Sequence, residues 1–113
     1  MNADRNVRVP EALQLIEKAL RKRPDNSALL DSRGWASFRL GRLEDAERDL
    51  RKALEQTTSA VSLDHLADVL VAKGAREEAA ATWRLALEQD NMDDGLRERV
   101  GAKLTRQQEA HLP

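Results

Sequence analysis

The strongest constraint on the fold of this chain is a motif that occurs three times. Its form is Ala-x3-apolar-x2-Ala-Leu, and successive copies are 34 and 33 residues apart. The copies consist of Ala12/Ile16/Ala19/Leu20, Ala46/Leu50/Ala53/Leu54 and Ala79/Trp83/Ala86/Leu87. Residues three and four positions apart share a face of an α-helix, so each copy predicts a helix with one face of small and apolar side chains. Such a spacing is typical of proteins built from stacked repeats.

A second motif, Leu-x3-small-x6-Gly, precedes the last two copies of the first. It consists of Leu30/Gly34/Gly41 and of Leu63/Ala67/Gly74. We expect the small residue to let one helix approach the next closely, and we expect the last glycine to end the helix in the left-handed conformation. Gly101 and Leu104 repeat the middle of this motif after the third copy of the first, so a fourth unit begins there.

Alternation of the two motifs predicts an all-α fold of antiparallel helical hairpins that stack on one another. The helices are expected at about 10–22, 27–39, 43–56, 60–72, 76–89 and 93–108. Pro10 suits the start of a helix, Pro24 follows the end of that helix, and Asp93 or Asp94 is expected to cap the last one. The predicted organisation is an irregular lead at 1–9, a half repeat at 10–26, full repeats at 27–59 and 60–92, a terminal helix at 93–108 and a tail at 109–113.

Composition and charge exclude several classes of function. The formal net charge is −1, and the sequence has no concentrated basic face, so we expect no nucleic-acid partner. The chain contains no cysteine, which excludes disulfides and thiolate metal sites. No apolar run approaches the ~18 residues that a membrane-spanning helix needs, so we expect no direct membrane insertion.

Together the two motifs resemble the tetratricopeptide repeat, and residues 10–108 fall under that pattern. The segments LDSRGW at 30–35 and FRLGR at 38–42 are also similar to the C-terminal repeats of large bacterial tetratricopeptide proteins, many of them envelope lipoproteins. Arg33 departs from the leucine usual in the family, and Glu47 departs from the usual aliphatic residue. The resemblance implies a short right-handed solenoid that binds a protein or peptide segment, with no enzymatic activity and no cofactor.

In this family the first helices of successive hairpins line a concave groove, and the resemblance implies which residues would bind a partner there. These residues are Asp31, Trp35, Phe38, Arg39, Asp64, His65, Asp68 and Val71, with Val61, Glu98, Ala102 and Thr105 as further groove positions. The acidic residues among them are unsuited to clamping a terminal carboxylate, so we expect that mode of binding to be absent.

Two pairs within this set carry the predicted specificity. Trp35 and Phe38 lie three positions apart and are predicted to anchor apolar groups of the partner, with packing between hairpins as the alternative. Asp64 and Asp68 lie one helical turn apart and predict a preference for Lys or Arg in the partner, with a solvated acidic face as the alternative. Trp83, at an apolar position of the first motif, is predicted to belong to the core.

Two other functions are compatible with the sequence. The first helix has no preceding partner helix and presents Leu13, Ile16 and Leu20, which predicts self-association of two chains as an alternative. The distant alternative is a metal-dependent enzyme that uses His65 with the two neighbouring aspartates, although a structural zinc site would need four ligands. The first five residues contain no apolar signal segment. The sequence leaves the compartment open: we expect a cytoplasmic chain if the sequence is complete, and a piece of a longer protein is also compatible with a periplasmic or envelope location.

Overall fold

The computed structural model describes residues 2–90 and 92–110. Six helices account for most of the described residues, which confirms the predicted all-α fold. They are α1 (Asn2–Lys22), α2 (Ser27–Arg39), α3 (Leu43–Gln56), α4 (Ala60–Ala72), α5 (Arg76–Leu87) and α6 (Asp94–Ala110).

The bounds of α2, α3 and α4 are those that the motifs predict, and the later helices differ by one or two residues. α5 ends at Leu87, where Glu88 forms the C-terminal cap, and not at residue 89. α6 begins at Asp94 and continues to Ala110, so it extends two residues into the predicted tail. Residues 111–113 of that tail lie outside the described residues.

The first helix is longer than predicted. α1 begins at Asn2, so the irregular lead expected at 1–9 is wrong for residues 2–9, and residue 1 lies outside the described residues. Pro10 lies inside this helix and does not start it. The proline ring fixes φ near −65°, which is a helical value, so the helix can continue on both sides at the cost of one missing backbone hydrogen bond.

The helices divide into two compact units, residues 1–57 with α1 to α3 and residues 58–113 with α4 to α6. In the first unit α3 packs on α2, and α2 packs on α1. In the second unit α5 packs on both α4 and α6. The helices that carry the second motif, α2, α4 and α6, come first in each hairpin and are called first-type helices; α1, α3 and α5 carry the first motif and are called second-type helices. Unit 1 therefore has one first-type helix between two second-type helices, whereas unit 2 has one second-type helix between two first-type helices.

The turns within the hairpins confirm the predicted roles of the glycines that end the second motif. Gly41 has φ of 78° and Gly74 has φ of 86°, a left-handed conformation that glycine adopts without strain. The backbone N–H of Arg42 donates to the carbonyl of Ser37 at 2.8 Å, and that of Ala75 donates to Leu70 at 2.8 Å. These bonds satisfy carbonyls that the helix end leaves without an intrahelical partner.

The starts of the first-type helices are held by polar side chains. Oδ1 of Asp93 accepts the backbone N–H of Leu96 at 2.7 Å, which confirms the predicted cap of α6. Asn26 caps α2 in the same way, at 2.9 Å from the nitrogen of Leu29, and Ser59 caps α4. Each cap fixes the residue at which a first-type helix begins.

The close approach of α2 to α3 depends on Gly34. A Cβ atom at this position would lie 2.9 Å from Cγ of Leu50 and 3.2 Å from the carbonyl oxygen of Ala46. Leu50 and Ala46 are both completely buried. The hairpin therefore has no room for a larger residue at Gly34, as the motif predicts.

The core of unit 1 joins all three of its helices. Leu20 of α1, Leu30 of α2 and Ala53 of α3 form a buried cluster, with Ile16 and Leu29 packed against it. Leu20 is only 6% exposed, so its predicted exposure on an unpartnered helix is wrong. The reason is that α2, which follows α1, covers the side of α1 on which Leu20 lies.

The hairpin of α2 and α3 contains a polar contact that explains one departure from the family pattern. Arg33, which stands where leucine is usual, donates two hydrogen bonds to Asp49, at 2.7 and 2.9 Å. Asp49 is buried, and its hydrogen bond raises the pKa of the Arg33 guanidinium. The equivalent positions of α4 and α5 hold Leu66 and Thr82. The same position in the hairpin thus holds an ion pair in one hairpin and two uncharged residues in the other.

Candidate functional site

The predicted aromatic anchors lie side by side on α2. The ring centroids of Trp35 and Phe38 are 5.1 Å apart and the ring planes differ by 29°, so the rings stack. This contact follows from the helical spacing, because residues three apart lie on one face. Both side chains are half-buried. The pair therefore presents a continuous apolar surface that still has area to lose to a partner.

Two further predicted residues flank the aromatic pair along the same helix. Asp31 lies one turn before Trp35 and is half-buried, and Arg39 follows Phe38 and is exposed. The predicted residues of α2 thus combine an apolar centre with one acidic and one basic neighbour. Their role in binding a partner stays a prediction.

On α4, Asp64 has a role that its sequence position did not indicate. Asp64 is only 6% exposed, and its Oδ1 accepts a hydrogen bond from Nε1 of Trp83 at 2.9 Å. Trp83 is 2% exposed, which confirms that it belongs to the core. A buried indole N–H normally requires an acceptor. Asp64 supplies that acceptor and so joins α4 to α5.

A lysine from α6 completes this cluster. Nζ of Lys103 lies 3.0 Å from Oδ1 of Asp64 and 3.1 Å from Oδ2 of Asp68. Burial by itself lowers the pKa of Lys103, but the hydrogen bond and the charge of Asp64, together with those of Asp68, raise it above its ordinary value. Burial raises the pKa of Asp68, and the hydrogen bond from Lys103 opposes this effect. The acidic surface predicted on α4 is therefore partly neutralised from within unit 2.

The remaining predicted residues of unit 2 lie at its surface to different degrees. His65 and Val71 are half-buried, and Val61 is 47% exposed. Glu98, Ala102 and Thr105 of α6 are exposed. The hydroxyl of Thr105 donates to the carbonyl oxygen of Gly101 at 3.0 Å. Contact of any of these residues with a partner stays a prediction.

Sequence reasoning missed Lys103, although it identified both of its carboxylate partners. Lys103 is 39 and 35 residues away from them, and neither motif contains a charged position at that place. The available signal was weak: Lys103 lies on α6, the next helix after α4 that carries the second motif, two residues after Gly101. A basic residue there could have been paired with the acidic residues of α4.

Within the described residues, no three or more His, Cys, Asp or Glu side chains are grouped closely enough to hold a metal ion. Two of the three groups considered for the metal alternative are the carboxylates that bind Lys103. Among the described helices, none combines the length and the apolar character required to cross a membrane.

Comparisons with known proteins agree on one kind of repeat. A TPR repeat-containing protein of Pseudomonas aeruginosa is 54% identical over 54 residues, which are 48% of this chain and 9% of that protein. The crystal structure of a thermophilic TPR protein of Thermus thermophilus matches with a TM-score of 0.77 and 31% identity, over 86% of this chain and 50% of that one. No family model matches the chain. The chain therefore spans a small part of the Pseudomonas relative and about half of the Thermus protein.

Proposed function

Because the chain is a tetratricopeptide-repeat protein, we propose that it is a protein-interaction module that binds a peptide or protein segment through its first-type helices. Proteins of this family are generally scaffolds without enzymatic activity. The observation that carries the proposal is the stacked, half-buried pair of Trp35 and Phe38 on α2. The pair is well suited to receive an apolar side chain of the partner.

Aromatic side chains contribute most to binding where the partner completes their burial. Trp and Tyr are enriched among the residues whose truncation costs an interface about 2 kcal/mol or more. The mutual stacking of Trp35 and Phe38 restricts both rings before binding, so little conformational entropy remains to be lost. An aliphatic or aromatic side chain of the partner would remove the remaining exposed area of both rings from water.

The polar part of the proposed binding surface lies on α4 and α6. Asp68 is half-buried, and Lys103 keeps 29% of its side chain exposed while it bridges Asp64 and Asp68. An incoming Lys or Arg would have to share Asp68 with Lys103. We therefore expect the charge preference predicted from the two aspartates to be weak, with His65 and Val71 adding contacts beside them.

The test uses a displayed peptide library that is screened on the 113-residue chain. Selected peptides are then titrated against the wild type, Trp35→Ala, Phe38→Ala and a control, Leu85→Ala. Leu85 is 44% exposed on α5, outside the proposed binding surface. We expect each aromatic variant to weaken binding by roughly 30-fold or more, which corresponds to about 2 kcal/mol, and the control to leave it unchanged.

A stability measurement separates binding from folding. Trp35→Ala is expected to unfold cooperatively, with its midpoint near that of the wild type. In parallel, an aqueous quencher of tryptophan fluorescence reports Trp35, because Trp83 is buried. Selected peptides should protect Trp35 from quenching. The proposal fails if Trp35→Ala binds the peptides as tightly as the wild type does, or if it melts far earlier, which would make Trp35 a core residue.

A further inference from the structure

Unit 1 has an open cleft where α1 meets the start of α2. The cleft has a volume of about 520 Å³, and its apolar lining comes from Leu15 and Ala19 of α1 and from Ala28 and Leu29 of α2. Leu15 is 70% exposed, more than any other large apolar side chain described. The rest of the lining is polar, with the basic side chains of Lys18, Lys22 and Arg23 and the amide of Asn26.

In unit 2 a third helix contacts both of the helices that correspond to this cleft. By the repeat, α5 corresponds to α1 and α6 corresponds to α2, so Ala86 corresponds to Ala19. Ala86 is completely buried, and α4 packs on α5. Asp64 and Asp68 of α4 also reach Lys103 of α6, so α4 contacts both helices of the cleft. A first-type helix is thus the element that fits a cleft of this kind.

α6 is a first-type helix whose own packing face is open. Gly34 of α2 lies against Leu50 and Ala46 so closely that it could not carry a Cβ atom. Gly101 holds the same position in α6, yet a Cβ atom there would meet no atom of the described residues within 4 Å. The residues of α1 that correspond to Leu50 and Ala46 are Ile16 and Ala12. The open face of α6 is therefore complementary to the open face of α1.

The charges at the two ends agree with an antiparallel contact. Asp93 caps α6 and Asp94 is its first residue, whereas α1 ends with the basic group that includes Lys18 and Lys22. Unit 1 already contains a contact of this kind: Nζ of Lys52, on α3, lies 3.8 Å from Oδ1 of Asp25, which precedes α2. Lys18 is the residue of α1 that corresponds to Lys52. An antiparallel α6 would place its acidic start beside the basic end of α1.

From these observations we propose that a second copy of this chain inserts its α6 into the cleft between α1 and α2, so that chains associate head to tail. In this contact Gly101 of one copy lies against Ala12 and Ile16 of the next, and Leu15 becomes buried. The two surfaces are different, so the contact is heterologous and each bound copy still offers one unused surface.

The test is sedimentation velocity over a range of concentrations for the full chain and three variants. Leu15→Glu alters the α1 surface, and Gly101→Gln fills the α6 surface; both sites are open, so both variants should fold. The matched control is Leu85→Glu, at an exposed leucine of α5. We expect the wild type and the control to associate, and each of the other variants to raise the dissociation constant roughly 10- to 100-fold.

Mixing the variants identifies the geometry. Leu15→Glu retains an intact α6 surface and Gly101→Gln retains an intact α1 surface, so an equimolar mixture should form a heterodimer and nothing larger. A wild type that remains monomeric at about 1 mM overturns the proposal. The proposal is equally overturned if the mixture stays monomeric. It is also overturned if Gly101→Gln associates as the wild type does, because that result would indicate a symmetric contact between two α1 helices.

Discussion

Substituting Gly34 by alanine tests the packing of α2 on α3 with a single methyl group. The new Cβ atom would lie 2.9 Å from Cγ of Leu50, whereas unstrained carbon atoms lie about 3.5–4.0 Å apart. Leu50 is completely buried, and the second neighbour, at 3.2 Å, is a backbone oxygen, so neither can move away easily. Overpacking of this kind costs about 1–3 kcal/mol.

The same substitution also has a favourable effect, because alanine is about 1 kcal/mol better than glycine inside a helix. We therefore expect Gly34→Ala to lower the free energy of unfolding by up to about 2 kcal/mol. The melting temperature should fall by roughly 4–8 °C for each kcal/mol lost in a chain of about this size. Urea unfolding followed by circular dichroism at low protein concentration measures the change without a contribution from association.

Gly101→Ala is the matched control, since it introduces the same methyl group where nothing lies within 4 Å in the described residues. Here only the helical preference acts, so the free energy of unfolding should rise by about 0.4–1 kcal/mol. The two variants should thus differ in sign. If Gly34→Ala proves as stable as Gly101→Ala, the close approach of α2 to α3 does not limit the residue at position 34, and the reasoning is refuted.

Two further predictions concern the buried charges, each measured by the same unfolding assay. Arg33→Leu should lower the free energy of unfolding by about 3 kcal/mol, because it leaves Asp49 buried and unpaired. Adding Asp49→Thr should restore most of this loss, since α4 and α5 carry Leu and Thr at the two equivalent positions. A double variant no more stable than Arg33→Leu alone would contradict this. Lys103→Met should cost roughly 1–3 kcal/mol by removing the cation beside Asp64. Because the folded pKa of Lys103 is raised above 10.5, the wild-type advantage should be complete below that pH and shrink above it; a difference that persists unchanged at alkaline pH would exclude Lys103 as its source.

The sequence predicts most of the fold because, in a helical repeat, the spacing of small and apolar residues along the chain specifies which helix faces pack together. Gly34 marks a close approach, Gly41 and Gly74 mark the ends of helices, and Trp83 marks the core. These features depend on residues within one turn or one hairpin. The start of α1 at Asn2 was not predicted, because proline suits the first turn of a helix and is disfavoured in the interior, where α1 nevertheless holds Pro10.

The candidate site was predictable only where it depends on one helix. The stacking of Trp35 on Phe38 follows from their spacing of three residues. The cluster of Asp64, Trp83 and Lys103 joins three helices, and the motifs specify which face of each helix is turned inward but not which polar groups meet there. A buried indole N–H requires a hydrogen-bond acceptor, but the pattern of apolar residues does not indicate which side chain supplies it.

One position of the second motif holds a small residue in all three helices that carry it, Gly34, Ala67 and Gly101. This position relates the packing within each unit to the proposed association of two chains. Gly34 is required by the approach of α3, and Ala67 is completely buried against its surroundings in unit 2. Gly101 is required by no contact within the described residues, although glycine inside a helix costs about 1 kcal/mol relative to alanine. Gly101 weakens α6 and relieves no crowding among the described residues. Its presence is explained if another helix approaches α6 as closely as α3 approaches α2. The open face of α1, with Leu15 exposed beside its basic end, offers that helix from a second copy of the chain.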